Sequence, residues 1–346
     1  MKTFLLVTDA WTPQVNGVVT VLSTLVRGLE KRGWKVVVIH PELFKTIPFP
    51  LYPEVPLALF PGKKIRQVFE EIKPDYVHIA VEWVLGPSAR RYCIRNNIPF
   101  TTSYHTNFRL YAALYLRPIA GLAGYLADVY MRWFHGGAAR MLVSNETLRD
   151  ELAQRGYKNL VVWPFGVDTE RFKRNEESKI DPELAKPIFV YFGRIAKEKS
   201  IEEFLDLKLP GSKLVIGGGP YRDYLESKYG NAAKFVGYKK GQELVDWLSV
   251  CDVYVFPSRT ETFGLTVLEA LACGLPVAGH DAIGPKDILT EGIDGYISED
   301  LAEAAVKCLP LSKEACRKKA LQYSWEVSID KFIEHQVQIQ YAENAR

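Results

Sequence analysis

Short apolar runs alternate with longer amphipathic stretches through the first half of the chain. Runs of four or five mostly apolar residues are typical of buried strands, and apolar positions three and four apart are typical of helices that cover a sheet. Such alternation predicts a parallel α/β sheet. Strands are predicted at residues 4–7, 35–39, 76–79, 100–103 and 141–144, and helices at 18–31, 65–72, 88–96 and 146–154.

Two segments interrupt this alternation. Residues 41–61 contain six prolines and are predicted to be irregular. Residues 108–134 are predicted to be a long helical segment, broken at Pro118 and Gly121. Its aromatic and arginine side chains suit either the headgroup region of a membrane or packing between helices. They are Tyr111, Tyr115, Tyr125, Tyr130, Trp133, Phe134, Arg109, Arg117 and Arg132.

The alternation restarts after a polar stretch from Trp163 to Pro187, which predicts a linker between domains. The tail, 301–341, is predicted to be helical with one break near Ser324. The fold class is therefore α/β, with two Rossmann-like, doubly wound parallel-sheet domains, 1–165 and 166–325, that face each other across a cleft. In the second domain, strands are predicted at 188–191, 213–216, 234–236, 252–256 and 276–278, and helices at 201–205, 221–229, 243–249 and 263–273.

Length and charge support two domains with different surfaces. A chain of 346 residues exceeds the size at which one core usually keeps growing. Residues 1–165 hold 20 Lys and Arg against 12 Asp and Glu, a balance of +8, whereas the rest has a balance of −5. A basic half indicates a membrane surface or nucleic acid as partner, or simply a soluble basic domain. No nucleic-acid-binding motif is recognisable, which argues against nucleic acid.

The cysteines and apolar runs favour a reducing, cytoplasmic location. The five cysteines are scattered without a Cys-x-x-Cys pair, and three lie in apolar stretches. No apolar run approaches the length of a membrane span, and the run at 4–7 is too short for a signal peptide. The sequence has no Asp-x-Asp, no metal-ligand spacing and no Walker loop. We therefore expect neither a metal nor a cofactor.

One turn in the second half combines two carboxylates with the start of a helix. The strand predicted at 252–256 leads into Pro257-Ser-Arg-Thr-Glu-Thr-Phe-Gly264. Glu261 precedes the helix, and Glu269 lies within it, eight positions later. Unpaired backbone N–H groups and the positive end of the helix dipole meet at this start. The turn therefore predicts an anion site between two carboxylates that can accept hydrogen bonds from hydroxyls, as a phosphorylated sugar requires.

Three other loops after predicted strands carry candidate residues. Gly17 opens a helix after a loop, which suits a phosphate or is an ordinary strand-to-helix turn. His105 follows a strand and is either structural or able to bond a sugar hydroxyl. Gly193, Arg194 and Lys199 place two cations after a strand, for phosphate binding or as a surface charge cluster.

The glycine run Gly217–Pro220 also follows a strand. It lacks the Gly-x-Gly-x-x-Gly spacing and an acidic residue at the expected distance. We interpret it as a tight turn that lines the cleft, and we do not expect dehydrogenase chemistry.

Together these features resemble the retaining glycosyltransferases of family 4, which have the GT-B fold. The most specific piece is Glu-x7-Glu, here Glu261 and Glu269, accompanied by Gly193-Arg194 with Lys199, by Pro164-Phe-Gly-Val-Asp168 and by His105. The stretches at 8–18 and 103–108 are similar to a subgroup of α-mannosyltransferases and diacylglycerol glycolipid synthases. Asn16 and Ser200 depart from the pattern, since family members often have a glycine at each position.

The resemblance implies a metal-independent hexosyltransferase that forms an α-glycoside. Glu261 would hold the sugar hydroxyls and Glu269 the ribose. Catalysis would involve Glu261 with His105, Arg194 and Lys199. The diphosphate would meet Arg194, Lys199 and the backbone amides at the helix start, and a C-terminal helix at 326–346 would pack back on the first domain. The donor-binding residues would be Gly17, Gly193, Arg194, Lys199, Tyr238, Glu261, Phe263, Gly264, Leu265 and Glu269.

The substrates are less narrowly implied. GDP-mannose, UDP-glucose and UDP-glucuronate all fit as donors, because the loop around Gly237 and Tyr238 sets the choice of base. A membrane glycolipid or diacylglycerol is the favoured acceptor, bound at the inner face of the cytoplasmic membrane, and a soluble or polysaccharide acceptor is the alternative. A sugar epimerase or phosphorylase on a similar scaffold is a further alternative, against which the Glu-x7-Glu spacing argues.

Overall fold

The computed structural model describes residues 1–14, 16–49, 52–109, 119–181 and 183–341. Contacts within the chain divide it into two units. Unit 1 comprises Met1–Pro164 and Glu326–Arg346, and unit 2 comprises Phe165–Trp325. Each unit contains a six-stranded parallel sheet, so the α/β class and the two Rossmann-like sheets are confirmed.

The sheet of unit 1 has the strand order β2-β1-β5-β6-β7-β8. Its central strands are buried, as is usual for parallel strands that helices cover, whereas the two outermost strands are partly exposed. The strands of the unit are β1 Thr3–Val7, β2 Lys35–Ile39, β3 Thr46–Phe49, β4 Tyr52–Ala58, β5 Tyr76–Ile79, β6 Thr101–Ser103, β7 Arg140–Val143 and β8 Leu160–Val162. The described helices before the linker are α1 Gly17–Lys31, α2 Gly62–Ile72, α3 Leu85–Arg95, α4 Ala120–His135 and α5 Glu146–Gln154.

The sheet of unit 2 has the strand order β11-β10-β9-β12-β13-β14. Its four central strands are apolar and fully buried or nearly so. The strands are β9 Ile188–Phe192, β10 Ser212–Ile216, β11 Lys234–Phe235, β12 Val253–Phe256, β13 Val277–Gly279 and β14 Gly295–Ile297. The helices are α6 Ile201–Asp206, α7 Arg222–Tyr229, α8 Gly241–Ser249, α9 Leu265–Ala272, α10 Pro285–Ile288, α11 Leu301–Cys308 and α12 Lys313–Ala320.

The end of the chain packs on the sheet of unit 1. Its helix is α13 Trp325–Glu334. The ring of Phe332, which is fully buried, lies 5.7 Å from that of Phe4 and 4.8 Å from that of Trp163. Trp163 Nε1 donates to the carbonyl of Ser328 at 3.1 Å. Burying a phenylalanine contributes about 2–3 kcal/mol, so this aromatic cluster holds the tail on unit 1.

Two sequence predictions of irregular or helical structure need correction. Residues 41–61, predicted as irregular, contain the antiparallel hairpin β3–β4. Pro48 and Pro56 face each other in it, and a two-stranded ribbon tolerates them because its outer edges form no ladder. The tail is not one helical stretch: α11 and α12 are separated near Pro310, and Ser312 caps α12 by accepting from Ala315 N at 3.3 Å.

The long aromatic segment predicted at 108–134 is only partly described. Tyr111, Tyr115, Arg117 and the break at Pro118 lie outside the described residues. Residues 120–134 of the segment belong to α4, which runs through Gly121, so the break predicted there is wrong. Within the described residues, no helix is both long enough and apolar enough to cross a membrane.

Candidate active site

The candidate site of unit 2 lies where the strand order of the sheet reverses. β9 and β12 are neighbours although they are not consecutive in the chain. In doubly wound sheets, ligands bind outside the carboxyl ends of the strands at such a switch point. The loop after β9 carries Gly193, Arg194 and Lys199, and the loop after β12 carries Glu261. The sheet therefore brings two of the predicted loops together.

An ion pair joins these two loops. Lys199 Nζ donates to Glu261 Oε1, and each side chain is 19% exposed. Thr260 Oγ1 donates to the carbonyl of Glu198 at 3.1 Å, which adds a second link between the loops. The pair places an ammonium donor beside a carboxylate acceptor, and both keep access to solvent. An ammonium group can bind a phosphate, and a carboxylate can bind sugar hydroxyls.

The N-terminus of α9 lies directly after this turn. Gly264, with φ +89°, adopts the left-handed conformation that favours glycine, and the helix begins at Leu265. The N-cap position of this helix is Gly264, which has no side chain that could cap the helix. Its first backbone N–H groups and the helix dipole therefore form a site suited to an anion. Phe263 is buried against the ring of Phe165, with 5.1 Å between centroids, and fixes the approach to the helix.

Glu269 lies about one turn into α9 and interacts electrostatically with Arg171 and Tyr238. Burial raises the pKa of Glu269 to about 7, while the positive charge of Arg171 lowers it. Burial also raises the pKa of Tyr238, and the charge of Glu269 adds to that effect. Arg171 is not among the site residues predicted from the sequence. Its position could have indicated a role, because Arg171 lies three residues after the 164–168 stretch that resembles the family. In the structure, Asp168 Oδ1 accepts from Arg171 N at 3.0 Å.

The glycine turn after β10 packs directly against the loop that carries Arg194. Ile195 N donates to the carbonyl of Gly218 at 2.9 Å. A Cβ atom on Gly217 would lie 2.0 Å from the carbonyl oxygen of Gly193. Gly193 itself has φ +139°. Close backbone packing thus requires these glycines, in keeping with a tight turn rather than a dinucleotide fingerprint.

Two buried tyrosines hold the backbone of the site. Tyr191 Oη donates to the carbonyl of Arg194 at 2.8 Å. Tyr254 Oη lies 2.8 Å from Thr266 Oγ1, in the first turn of α9. Neither tyrosine was a predicted site residue, since each lies inside an apolar strand. The available signal is that a buried tyrosine hydroxyl usually needs a partner.

A second charged network includes Arg259, two residues before Glu261. The Arg259 guanidinium lies 2.9 Å from Glu299 and 3.1 Å from His280 Nε2. His280 is fully buried and also lies 2.8 Å from Glu203 Oε1. His280 is not among the residues predicted from the sequence, although it follows β13 as His105 follows β6. Together these contacts connect the Glu261 turn to the loop after β13.

In unit 1, His105 follows β6 and is hydrogen-bonded to its own strand. Its Nε2 lies 2.7 Å from Ser103 Oγ. Burial, with a smaller effect of His135, lowers the pKa of His105 to about 3. The ring is therefore neutral at physiological pH. A neutral imidazole acts by hydrogen bonding and does not stabilise charge as a cation.

The two helix starts nearest β1 in unit 1 are both occupied by side chains. Asn16 Oδ1 accepts from Val19 N at 3.0 Å and so caps α1 beside Gly17. Asp9, which follows β1 and is 1% exposed, accepts from Leu85 N at 3.0 Å at the start of α3. Burial raises the pKa of Asp9 to about 7 despite these bonds.

Helix α4 of unit 1 exposes an apolar face. The residues on this outward face follow a spacing of three and four and are between 40% and 61% exposed: Leu122, Tyr125, Leu126, Val129, Tyr130 and Trp133. The opposite face, with Ala123, Met131 and Phe134, is buried. Arg90 of α3 lies over the Trp133 ring at 4.2 Å. Interior packing therefore accounts for Phe134, whereas Tyr125 and Trp133 point outward. Tyr130 is partly exposed, and its hydroxyl donates to the backbone carbonyl of Glu82.

The structure thus divides the predicted residues between the units. Unit 2 holds Gly193, Arg194, Lys199, Tyr238, Glu261 and the start of α9 with Glu269, whereas unit 1 holds Gly17 and His105. No group of three His, Cys, Asp or Glu side chains that could hold a metal ion is found among the described residues.

The sequence matches two family profiles in succession. The Glycosyltransferase Family 4 profile matches residues 15–171, and the profile for glycosyl transferases group 1 matches residues 172–309. The sulfoquinovosyl transferase of Arabidopsis thaliana is 30% identical, over 92% of this chain and 69% of its own length. A GDP-mannose-dependent alpha-mannosyltransferase of Mycobacterium tuberculosis is 28% identical, over 95% of each chain.

Similarity extends to a lipid-directed relative and to solved structures. The alpha-monoglucosyldiacylglycerol synthase of Streptococcus pneumoniae is 25% identical, over 94% of this chain and 82% of its own length. Sucrose-phosphate synthase from Thermosynechococcus elongatus has a similar structure, with a TM-score of 0.77 and 18% identity, over 96% of this chain and 98% of that one. At this identity the structural likeness shows the fold alone, which is GT-B.

Proposed function

Because the chain belongs to glycosyltransferase family 4 and is a hexosyltransferase, we propose that it moves a hexose from a nucleotide-sugar to an acceptor hydroxyl with retention, which yields an α-glycoside. The observation that carries the proposal is the Lys199–Glu261 pair beside the start of α9, whose N-cap residue is Gly264. One small region of unit 2 thereby offers a cation, an acceptor of hydroxyl protons and backbone donors for an anion.

Each part of the donor has a complementary group in unit 2. The diphosphate binds the amides of Phe263, Gly264 and Leu265, together with Arg194 and Lys199. Glu261 accepts hydrogen bonds from the sugar hydroxyls. Further along α9, Glu269 accepts from the ribose hydroxyls. Near Glu269, Tyr238 borders the base.

Three donors fit this arrangement: GDP-mannose, UDP-glucose and UDP-glucuronate. The relative in M. tuberculosis is named for GDP-mannose, and the relative in S. pneumoniae for transfer of a glucosyl group. These two names favour a neutral hexose, whereas the relative in A. thaliana is named for transfer of a sulfoquinovosyl group.

Retention follows from attack on the same face as the leaving group. The bond between C1 and the diphosphate oxygen breaks, and its electron pair leaves with the nucleoside diphosphate. The acceptor oxygen bonds to C1 on that face, and its proton passes to the departing phosphate. Arg194 and Lys199 stabilise the charge that develops there, and a single such donor is worth about 3–4 kcal/mol. From unit 1, we propose that Gly17 and His105 contact the donor sugar.

A membrane lipid such as diacylglycerol is the proposed acceptor. The outward face of α4 is apolar and aromatic, and the exposed basic residues Arg91 and Arg95 lie on the adjoining helix α3. Aromatic and basic side chains together suit the headgroup region of an anionic bilayer. We therefore place the protein at the inner face of the cytoplasmic membrane, without a spanning helix among the described residues.

A donor and acceptor screen tests the function. The purified chain is incubated with each of the three nucleotide-sugars, and released nucleoside diphosphate is measured without acceptor and with vesicles that contain diacylglycerol. We expect one donor to be used, lipid to increase its turnover, and the product to be the α-anomer by NMR. A β-anomer would overturn retention. If a soluble oligosaccharide increases turnover and lipid vesicles do not, the proposed acceptor is overturned.

A further inference from the structure

A continuous series of buried hydrogen bonds runs from the C-terminal tail to His105. Gln336 Oε1 lies 2.8 Å from Thr101 Oγ1, which lies 2.8 Å from His78 Nδ1. His78 Nε2 lies 3.0 Å from Ser103 Oγ, which lies 2.7 Å from His105 Nε2. We call these five residues the polar chain. All of them belong to unit 1, and the first four are at most 8% exposed.

At the tail end of the polar chain, the donor and the acceptor of each hydrogen bond are fixed. Gln336 Nε2 donates to the carbonyl of Phe332 at 3.1 Å, which orients the amide with Oε1 toward Thr101. An amide oxygen has only lone pairs, so the Thr101 hydroxyl must donate to it. This uses the one hydrogen of that hydroxyl. Thr101 Oγ1 can then only accept from His78, whose Nδ1 therefore carries a hydrogen.

The donor and acceptor in each hydrogen bond of His78 and Ser103 are also fixed, because both imidazoles in the series are neutral. Burial lowers the pKa of His78 well below its usual value, and that of His105 to about 3. A neutral imidazole has one N–H group, so His78 Nε2 accepts from the Ser103 hydroxyl. The Ser103 oxygen then has no hydrogen left to give to His105. His105 Nε2 must donate to it.

We propose that the polar chain holds His105 as the Nε2–H tautomer, with a lone pair on Nδ1. Gln336, Thr101, His78 and Ser103 are therefore positioning residues for the transfer reaction. The functional consequence rests on the proposed contact between His105 and the donor sugar. A sugar hydroxyl can donate to Nδ1, whereas a carboxylate, which has only lone pairs, would be repelled there. The tail thereby helps to decide which sugar groups unit 1 accepts.

NMR of the full chain labelled with 15N-histidine tests the tautomer without reference to activity. Long-range 1H–15N correlations distinguish a protonated from an unprotonated ring nitrogen. The chain has six histidines, and the variants His105→Gln and His78→Gln assign two of them. We expect His105 to be protonated on Nε2 and His78 on Nδ1. A His105 ring protonated on Nδ1, or one that exchanges between tautomers, would overturn the proposal.

Variants then test whether the tail sets this tautomer. Gln336→Leu removes the acceptor, so that Thr101 can donate to His78 or to the carbonyl of Val77, 3.4 Å away. We expect a mixture of His105 tautomers and a roughly tenfold loss of kcat/KM, equivalent to one hydrogen bond of about 1.4 kcal/mol. Gln338→Leu is the matched control, because Gln338 is an exposed residue of the same tail.

Two comparisons separate the possible outcomes. If Gln336→Leu leaves a single Nε2–H tautomer, the tail does not set it and the proposal fails. If the tautomers mix while turnover stays unchanged, the polar chain is upheld and His105 is removed from the sugar site. Should Gln336→Leu fold poorly, Ser103→Ala removes the last link to His105, and the same mixing is expected there.

Discussion

The switch points of the two sheets differ in what occupies them. In unit 1 the strand order reverses between β1 and β5, and the Asp9 carboxylate after β1 accepts from the backbone at the start of α3. In unit 2 it reverses between β9 and β12, and α9 begins there after Gly264, an N-cap residue without a side chain. Because Asp9 already accepts from the first N–H groups of α3, these groups are not open to a diphosphate in unit 1. We therefore expect the two similar sheets to differ in their capacity to bind an anion.

The units also differ in the kind of polar group they bring to the reaction. Unit 2 carries the cations Arg194 and Lys199, which would suit a leaving group that becomes more anionic, and the carboxylate of Glu261, which would accept from sugar hydroxyls. Unit 1 uses neutral groups around His105, whose depressed pKa keeps the ring uncharged. Charge stabilisation is therefore expected to depend on unit 2, and orientation of the sugar on unit 1.

Replacing Arg194 should produce the largest effect. Arg194→Ala removes a donor to the diphosphate, and loss of one such donor lowers kcat by about 10²–10³-fold. The backbone carbonyl of Arg194 would keep its bond from Tyr191, so the loop should keep its course. Turnover is measured by nucleoside diphosphate release, with circular dichroism to confirm folding. Arg149→Ala, at an exposed ion pair of α5, is the control, and near-normal turnover of Arg194→Ala would remove Arg194 from the site.

Asp9 tests the difference between the switch points directly. Asp9→Ala leaves the first N–H groups of α3 without their acceptor, which should cost about 1–2 kcal/mol of local stability. Hydrogen exchange at Leu85 should then be faster by roughly 5–30-fold. Because the Asp9 carboxyl group is bonded to the backbone of α3 and is not a proposed donor contact, the Kd for the nucleotide-sugar should not change. A large loss of donor affinity would mean that Asp9 takes part in donor binding, and Asp330→Ala, at an exposed ion pair, controls for general effects of charge.

The sheets could be predicted from the sequence because buried parallel strands are apolar runs. The strands at 35–39 and 76–79 and the helix at 146–154 begin and end where the pattern places them. The three-residue strands β8 and β14 were missed, because such short runs do not differ from apolar loop residues. The β3–β4 hairpin was missed because its residues include several prolines, which are usually excluded from strands.

The site could be predicted only where its residues are close in the chain. The spacing of Glu261 and Glu269, one before and one within the same helix, is visible in the sequence. The cations after β9, Arg194 and Lys199, are visible as well. The link between Thr101 and Gln336 joins positions 235 residues apart, and only the fold brings them together. Arg171 is similar, because its effect on Glu269 depends on where the polar linker passes.

The pKa of Glu269 predicts a pH dependence for donor binding. Ribose hydroxyls donate to a carboxylate, so binding requires the ionised form, and burial raises the pKa to about 7. The Kd of the intact nucleotide-sugar should therefore fall by roughly tenfold from pH 6 to pH 8. Titration calorimetry measures it, and the same dependence in Glu269→Gln would assign it to another group.

Stability should show the opposite trend with pH. A carboxyl group with a raised pKa favours folding in its neutral form, so its contribution is present below about pH 4.5 and is lost as the pH rises through about 7. Glu269→Gln should then stabilise unit 2 by about 1–3 kcal/mol more at pH 8 than at pH 5. Urea unfolding at the two pH values measures this, and an equal effect at both would contradict the raised pKa.

The smallest expected effect concerns the outward face of α4, where unit 1 is proposed to meet the bilayer. Leu126→Ser removes one exposed apolar side chain, and loss of about 1 kcal/mol of burial should weaken binding to anionic vesicles by roughly fivefold. Leu321→Ser is a close match in unit 2, since Leu126 is 56% exposed and Leu321 is 52% exposed. Flotation at low and high salt should show weaker binding at high salt, because the basic residues of α3 act through screened charges. If both variants bind equally, the outward face of α4 does not contact the membrane, and a soluble acceptor becomes the better explanation for a basic unit 1.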